Sequence, residues 1–297
     1  MSVFSINNSY LTIKVDTLGA ELTSIQDNTT GIEYLWNADP AYWNRHAPIL
    51  FPFVGRLKDT AYTYQEKTYS IPQHGFARDY EFTLISQTDT ELWLSFEANE
   101  ETRKIYPFDF CLELGYRLEG RKVTAFWRVR NKGNDIMFFS IGGHPAFYCP
   151  LNPAQKQSDC YFEFDTKQPI RYLLVNEQGL EVKLPKEEQY LLNSKDGIVQ
   201  IDAHMFDRDA LIIEDHQCHQ VSLLDADKKP YLRLTFDAPL FGLWSPAGKH
   251  APFVCIEPWY GRCDSSEFSG TLEERDYSNS LDSGKTFEKS YTIEVLS

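Results

Sequence analysis

In the segment Lys122–Asn131 (KVTAFWRVRN) the side chains alternate with period two. Val123, Ala125, Trp127 and Val129 fall on one face, and Thr124, Phe126, Arg128 and Arg130 on the other. A helix would repeat every 3.6 residues, so this alternation describes a strand covered on one side. The same rhythm recurs at residues 10–15, 20–25, 110–118, 136–141, 160–164, 210–214, 231–236 and 253–256, and in Glu91–Glu97, Gln220–Leu224 and Thr286–Val295. Turn formers punctuate the runs: DTLG at 16–19, DNTTG at 27–31 and DADKKP at 225–230. Helical signals are confined to residues 99–106, closed by Pro107, and to a turn or two within 266–275. The pattern predicts an all-β chain built of antiparallel strands.

A length of 297 residues would by itself suggest about two domains, but large β domains often reach this size alone. Because the alternation runs from end to end without a low-complexity linker, one domain over residues 1–297 is expected. The chain holds 20 Phe, 17 Tyr and 6 Trp, which favour strands and can also line a sugar site. Basic residues number 29 against 43 acidic, a net charge of −14, with no run of five Lys/Arg to reverse it locally. This argues against nucleic acid and against an anionic membrane surface. No apolar stretch approaches 18 residues, and the N-terminus lacks the basic and apolar regions of a signal peptide. The six cysteines, Cys111, Cys149, Cys160, Cys218, Cys255 and Cys263, are sparse for so long a chain and form no CxxC. Reduced thiols in a cytoplasmic protein are expected.

Three segments are too rich in polar and special residues for ordinary strands or turns. They are 43–57 continuing to 71–80, then 141–151, then 253–264. Each sets a His or a Glu beside Gly or Pro and aromatic residues. The sequences VGRL at 54–57, QHGFAR at 73–78, GGHPAF at 142–147 and CIEPWYGRCD at 255–264 resemble the galactose mutarotase (aldose 1-epimerase) family. Within it they look closest to the bacterial branch found with lactose and tagatose pathways. The opening DTLGAELTSI at 16–25 is similar to the family's first hairpin, and the motifs occur in the expected order along almost the whole chain.

The resemblance implies a large β-sandwich, no cofactor, no metal, and interconversion of the α and β anomers of a hexose. Such a reaction opens a hemiacetal, so it needs a base near the C1 hydroxyl and an acid near the ring oxygen. By resemblance Glu257 is the base. Its neighbours Ile256, Pro258 and Trp259 are apolar and would raise its pKa. By resemblance His144 is the acid, with a pKa expected near neutrality. His74 and Arg56 are implied to bind sugar hydroxyls, the Arg fork suiting a vicinal diol. An Asp is expected to join them: Asp209, which directly precedes an apolar run, with Asp207 the other candidate.

Arg78 decides between two substrates, because relatives acting on hexose 6-phosphates carry an Arg at this spacing and a guanidinium grips a phosphate dianion. Its alternative is an ion pair with Asp79 or Glu81. Among Trp36, Trp43, Phe51, Phe76, Phe147, Trp244 and Trp259, one or two are expected to touch sugar and the rest to fill the core. His216 and His219 are discounted as a zinc pair, since three residues along a strand point opposite ways. The small-molecule partner is a hexose or hexose phosphate, for a monomer or homodimer. The other functions weighed are a hexose-6-phosphate mutarotase, a non-catalytic carbohydrate-binding protein and a glycoside hydrolase. The last would need a second motif carboxylate and would leave the His pair unexplained.

Overall fold

The computed structural model describes residues 2–296. Strands hold 45% of the chain and helices 6%, and every ladder between named strands is antiparallel. Two large sheets dominate. In the nine-stranded sheet the order is Ile198–Gln200, Tyr161–Phe164, Gln220–Leu224, Pro230–Phe236, Thr286–Val295, Lys122–Asn131, Phe110–Glu119, Glu91–Glu97, Thr83–Gln87. In the eight-stranded sheet it is Tyr190–Leu192, Ile170–Leu174, Leu211–Ile213, Leu240–Trp244, Phe253–Tyr260, Ile141–Gly143, Ile49–Leu50, with Ala146–Tyr148 also on Phe253–Tyr260. A three-stranded sheet, Val3–Asn7, Leu11–Asp16 and Leu22–Asp27, forms at the N-terminus.

Lys122–Asn131 shows why alternation carries the fold. Val123, Ala125, Trp127 and Val129 are buried, while Thr124, Phe126, Arg128 and Arg130 are not. On the outer face Arg128 lies over Trp93 and pairs with Glu113 and Glu288. On the inner face Trp127 meets Tyr260 of the eight-stranded sheet edge-on, with ring centroids 6.2 Å apart. The largest apolar cluster joins all three sheets, from Ile6 through Leu114 and Phe241 to Val295. Each large apolar side chain so buried stabilises the fold by about 2 kcal/mol.

The helix expected at 99–106 is present as Glu100–Ile105, capped by Asn99, whose side chain accepts from the N–H groups of Glu101 and Thr102. In 266–275 only the single turn Leu272–Glu274 forms. Among the described residues no helix is long and apolar enough to cross a membrane.

The strand expected at 253–256 runs instead as Phe253–Tyr260, all eight residues buried. One side pairs continuously with Leu240–Trp244. The other pairs with Ala146–Tyr148 and Ile141–Gly143, two short strands separated by His144 and Pro145. The Ile256 N–H donates across this gap to the Pro145 carbonyl, so by period two the Pro258 nitrogen faces the same side, beside Gly142. A proline is tolerated there because the ladder is already interrupted. The interruption also leaves His144 beside Glu257.

Candidate functional site

Glu257 sits in the middle of its strand at 1% exposure. Cys255 and Trp259, two residues away on either side, share its face. The indole of Trp259 fits only because two neighbouring strands carry glycine where it presses. A Cβ on Gly242 would come within 2.4 Å of the indole, and one on Gly142 within 2.6 Å. Burial pushes the Glu257 carboxyl well above the usual carboxylate range; Trp259 opposes this and the charge of Asp209 adds to it.

His144 is 7% exposed, and its backbone N–H donates to the Pro48 carbonyl. Its ring stacks on Trp43 at 4.8 Å and meets the edge of Trp244 at 5.4 Å. Nε2 lies 3.4 Å from Oε2 of Glu257. Burial, with the charges of Arg78 and Arg45, pushes the imidazole down to about 3. This direction departs from the near-neutral value expected from the sequence, because burial penalises the imidazolium.

The His74 backbone is left-handed, with φ +67°. Its Nδ1 accepts a hydrogen bond of 3.0 Å from the Gly55 N–H, so the neutral ring carries its proton on Nε2. Burial lowers its pKa well below the usual value, reinforced by His144 and Arg78. The two imidazoles meet at 5.7 Å.

These groups surround a cavity of about 250 Å³ that is also lined by Gln73, Arg78, Asp209, Trp43, Trp244 and Trp259. Three of the seven candidate aromatic platforms, Trp43, Trp244 and Trp259, line it, while Trp36, Phe51, Phe76 and Phe147 are core. Asp209 stands at the wall with φ +70°. Asp207 does not line the cavity and pairs with His204 at 2.8 Å.

Arg78 donates to the Gln73 carbonyl at 2.9 Å, and its buried Nε has no hydrogen-bond partner. Its contact with Asp79 is long, 3.8 Å, because Asp79 pairs at 2.6 Å with Arg45. Arg56 stands behind the wall and donates to Gln73 Oε1 at 3.0 Å. Sequence reasoning missed Val175 and Gly179, which line the cavity from an otherwise ordinary loop and carry no chemical signature.

The second half of the 255–264 motif serves support. Arg262, 3% exposed, pairs with Glu181, Glu214 and Asp276, and Arg275 pairs with Asp264. Together with the Glu181 N–H donating to the Asp264 carbonyl, these bonds tie the Val175–Gly179 wall to the end of the Glu257 strand.

The profile of the family described as aldose 1-epimerase matches residues 2–293. The plasmid protein LacX of Lactococcus lactis subsp. lactis is 36% identical over 299 residues, 98% of each chain. The X-ray structure of a galactose mutarotase related enzyme from Lactobacillus acidophilus matches with a TM-score of 0.93 at 33% identity, covering 100% of this chain and 98% of that one. A galactose mutarotase-like protein from Lactobacillus casei matches with a TM-score of 0.91 at 26% identity, covering 99% and 100%.

Proposed function

The chain belongs to the aldose 1-epimerase family, isomerases that interconvert sugar anomers, and we propose that Glu257 and His144 carry the proton transfers of that reaction here. The observation that supports this is the 3.4 Å contact between the two groups, both buried at a cavity lined by further polar and aromatic side chains. One partner takes the proton of the C1 hydroxyl while the other gives a proton to the ring oxygen, and the C1–O5 bond breaks. Rotation about C1–C2 turns the other face of the aldehyde toward O5. The same two transfers in reverse then close the ring as the other anomer and restore the pair. Pure binding would need no such couple.

His74 Nε2–H and the Asp209 carboxylate are a donor and an acceptor for sugar hydroxyls, with Arg56 acting on the wall through Gln73. Trp43, Trp244 and Trp259 supply apolar faces for the C–H side of the sugar. The Nε of Arg78, which makes no hydrogen bond, supports a second reading, in which the substrate carries a 6-phosphate. Six unpaired, buried cysteines support a reducing cytoplasm, and an apolar cluster from Ile6 to Val295 supports a single domain.

Polarimetry on freshly dissolved α-galactose and α-glucose tests the assignment. Glu257→Gln should slow anomer equilibration by about a thousandfold, with sugar binding by equilibrium dialysis retained. An unchanged rate overturns it.

A further inference from the structure

The proton-transfer chemistry leaves Cys255 unused, although the thiol shares a strand face with Glu257 and is fully buried. Its strand partner is Ala146, so the His144–Pro145 interruption brings the imidazole to the same place. One ligand atom from each of His144, Cys255 and Glu257 falls within 4.8 Å of the others. His144 Nε2 and Glu257 Oε2, at 3.4 Å, already have the spacing of neighbouring ligands on a tetrahedral ion, roughly 3.3–3.8 Å. Oε2 is buried without a hydrogen-bond partner, and so is His144 Nδ1, so no hydrogen bond to Nδ1 pins the ring.

We infer that His144, Cys255 and Glu257 form a three-ligand site for a borderline-soft divalent cation, zinc fitting best, and that the bound ion blocks the isomerase. The donor set of nitrogen, sulfur and oxygen suits zinc and disfavours magnesium and calcium, which take oxygen alone. A thiolate and a carboxylate cancel the ion's double charge, and the imidazole binds neutral. Arg78 and Arg45, close enough to disfavour the imidazolium, oppose the cation. Two anionic ligands in direct contact at about 2 Å outweigh them. His144 and Glu257 line the cavity, from which water or a sugar hydroxyl would complete the tetrahedron. An ion held there occupies both proton-transfer groups at once. The inhibition rests on their assignment above; the binding does not.

The test titrates the intact chain with zinc chloride and, separately, cobalt(II) chloride. One ion per chain should bind, sugar should compete with it, and a chelator should restore anomer exchange. Cobalt should give a sulfur-to-metal charge-transfer band. Cys255→Ala should abolish the band and weaken inhibition by at least about a hundredfold, since loss of a mere outer-shell partner already costs 10–100-fold. The metal-free rate should be unchanged, with Cys255→Ser as a second variant should the alanine cavity unfold the chain. Equal inhibition of wild type and variants would overturn the site, and so would inhibition indifferent to sugar. Either outcome places the ion elsewhere, for instance on His216 and His219, whose rings lie 5.5 Å apart in a turn. A cobalt spectrum without the sulfur band would overturn it equally. The band needs no turnover, so it separates failure of the metal site from failure of the mutarotase assignment.

Discussion

Nε2 of His144 lies 3.4 Å from Oε2 of Glu257, and the two residues are only 7% and 1% exposed. The pair needs one transferable proton, and its titration belongs to both members. Burial raises the carboxyl and lowers the imidazole to about 3, so both shifts favour a neutral carboxyl beside a neutral imidazole before sugar binds, the reverse of the base and acid roles that the resemblance implies. Imidazolium and carboxylate therefore arise in the course of the reaction instead of waiting for it. The one-proton state persists from a low acid limit up to a raised carboxyl limit. We expect kcat/KM to hold flat through weakly acidic pH, with its acid limb moved far below the ordinary histidine value of about 6.5. The alkaline limb reports loss of the last proton. The other groups facing the pair are Cys255, His74, Arg78, Arg45 and Asp209. Asp209→Asn removes a charge that raises Glu257, so it should shift that limb downward. An acid limb at the ordinary histidine value would sink this account.

Asp209 and Asp207 are two residues apart and were indistinguishable by residue type. Asp209 lines the cavity, whereas Asp207 bonds His204 outside it. Asp209→Ala should raise KM for a free hexose by about tenfold, the worth of a hydrogen bond to a charged group. Asp207→Ala should change it by less than about twofold, because exposed pairs contribute little. Steady-state kinetics on both variants decides, and a reversed order would transfer the role to Asp207.

What was legible in the sequence follows from what side chains repeat. Lys122–Asn131 and Thr286–Val295 declare themselves because one face of each is buried. Phe253–Tyr260 does not: it is buried on both faces, so it has no alternation beyond its start and its Pro258 argues against a strand. Only the neighbouring break at His144 and Pro145 explains it, and that is a property of pairing, not of the segment. Glu257 and His144 were legible as motif residues. The depressed imidazole was not, because it arises from Trp43, Trp244 and Arg78, which the sequence scatters over 202 positions. Arg262 was read within a functional motif, yet its contacts are three carboxylates in the supporting wall.

Arg78 lines the cavity, its buried Nε makes no hydrogen bond, and its nearest acid, Asp79, 3.8 Å away, is held more closely by Arg45. A guanidinium with donors to spare matters most to a substrate carrying an anion. Arg78→Ala should leave kcat/KM on galactose or glucose within about threefold while lowering it on hexose 6-phosphates by about a hundredfold, the worth of a bidentate charge-assisted pair. Equal losses on both sugars would remove the phosphate reading and make Arg78 a general cavity residue.

Trp259 stands between two glycines, and this predicts how the site fails. A Cβ on Gly242 would lie 2.4 Å from the indole, too close for any carbon pair, and the contact is with the six-membered edge of the ring. The strand backbone cannot retreat, because Gly242 pairs with Glu257 itself. The indole must move instead, toward the cavity it lines. Gly242→Ala should therefore cost about 2 kcal/mol, lowering Tm by roughly 5 °C. Its activity should fall further than that loss of folded protein explains, since the displaced ring crowds Glu257. The smaller ring of Trp259→Phe removes the atoms that clash. The double variant should regain most of the lost Tm, giving a coupling of at least about 1 kcal/mol in a double-mutant cycle. Additive losses would mean that the glycine serves the strand and not the indole.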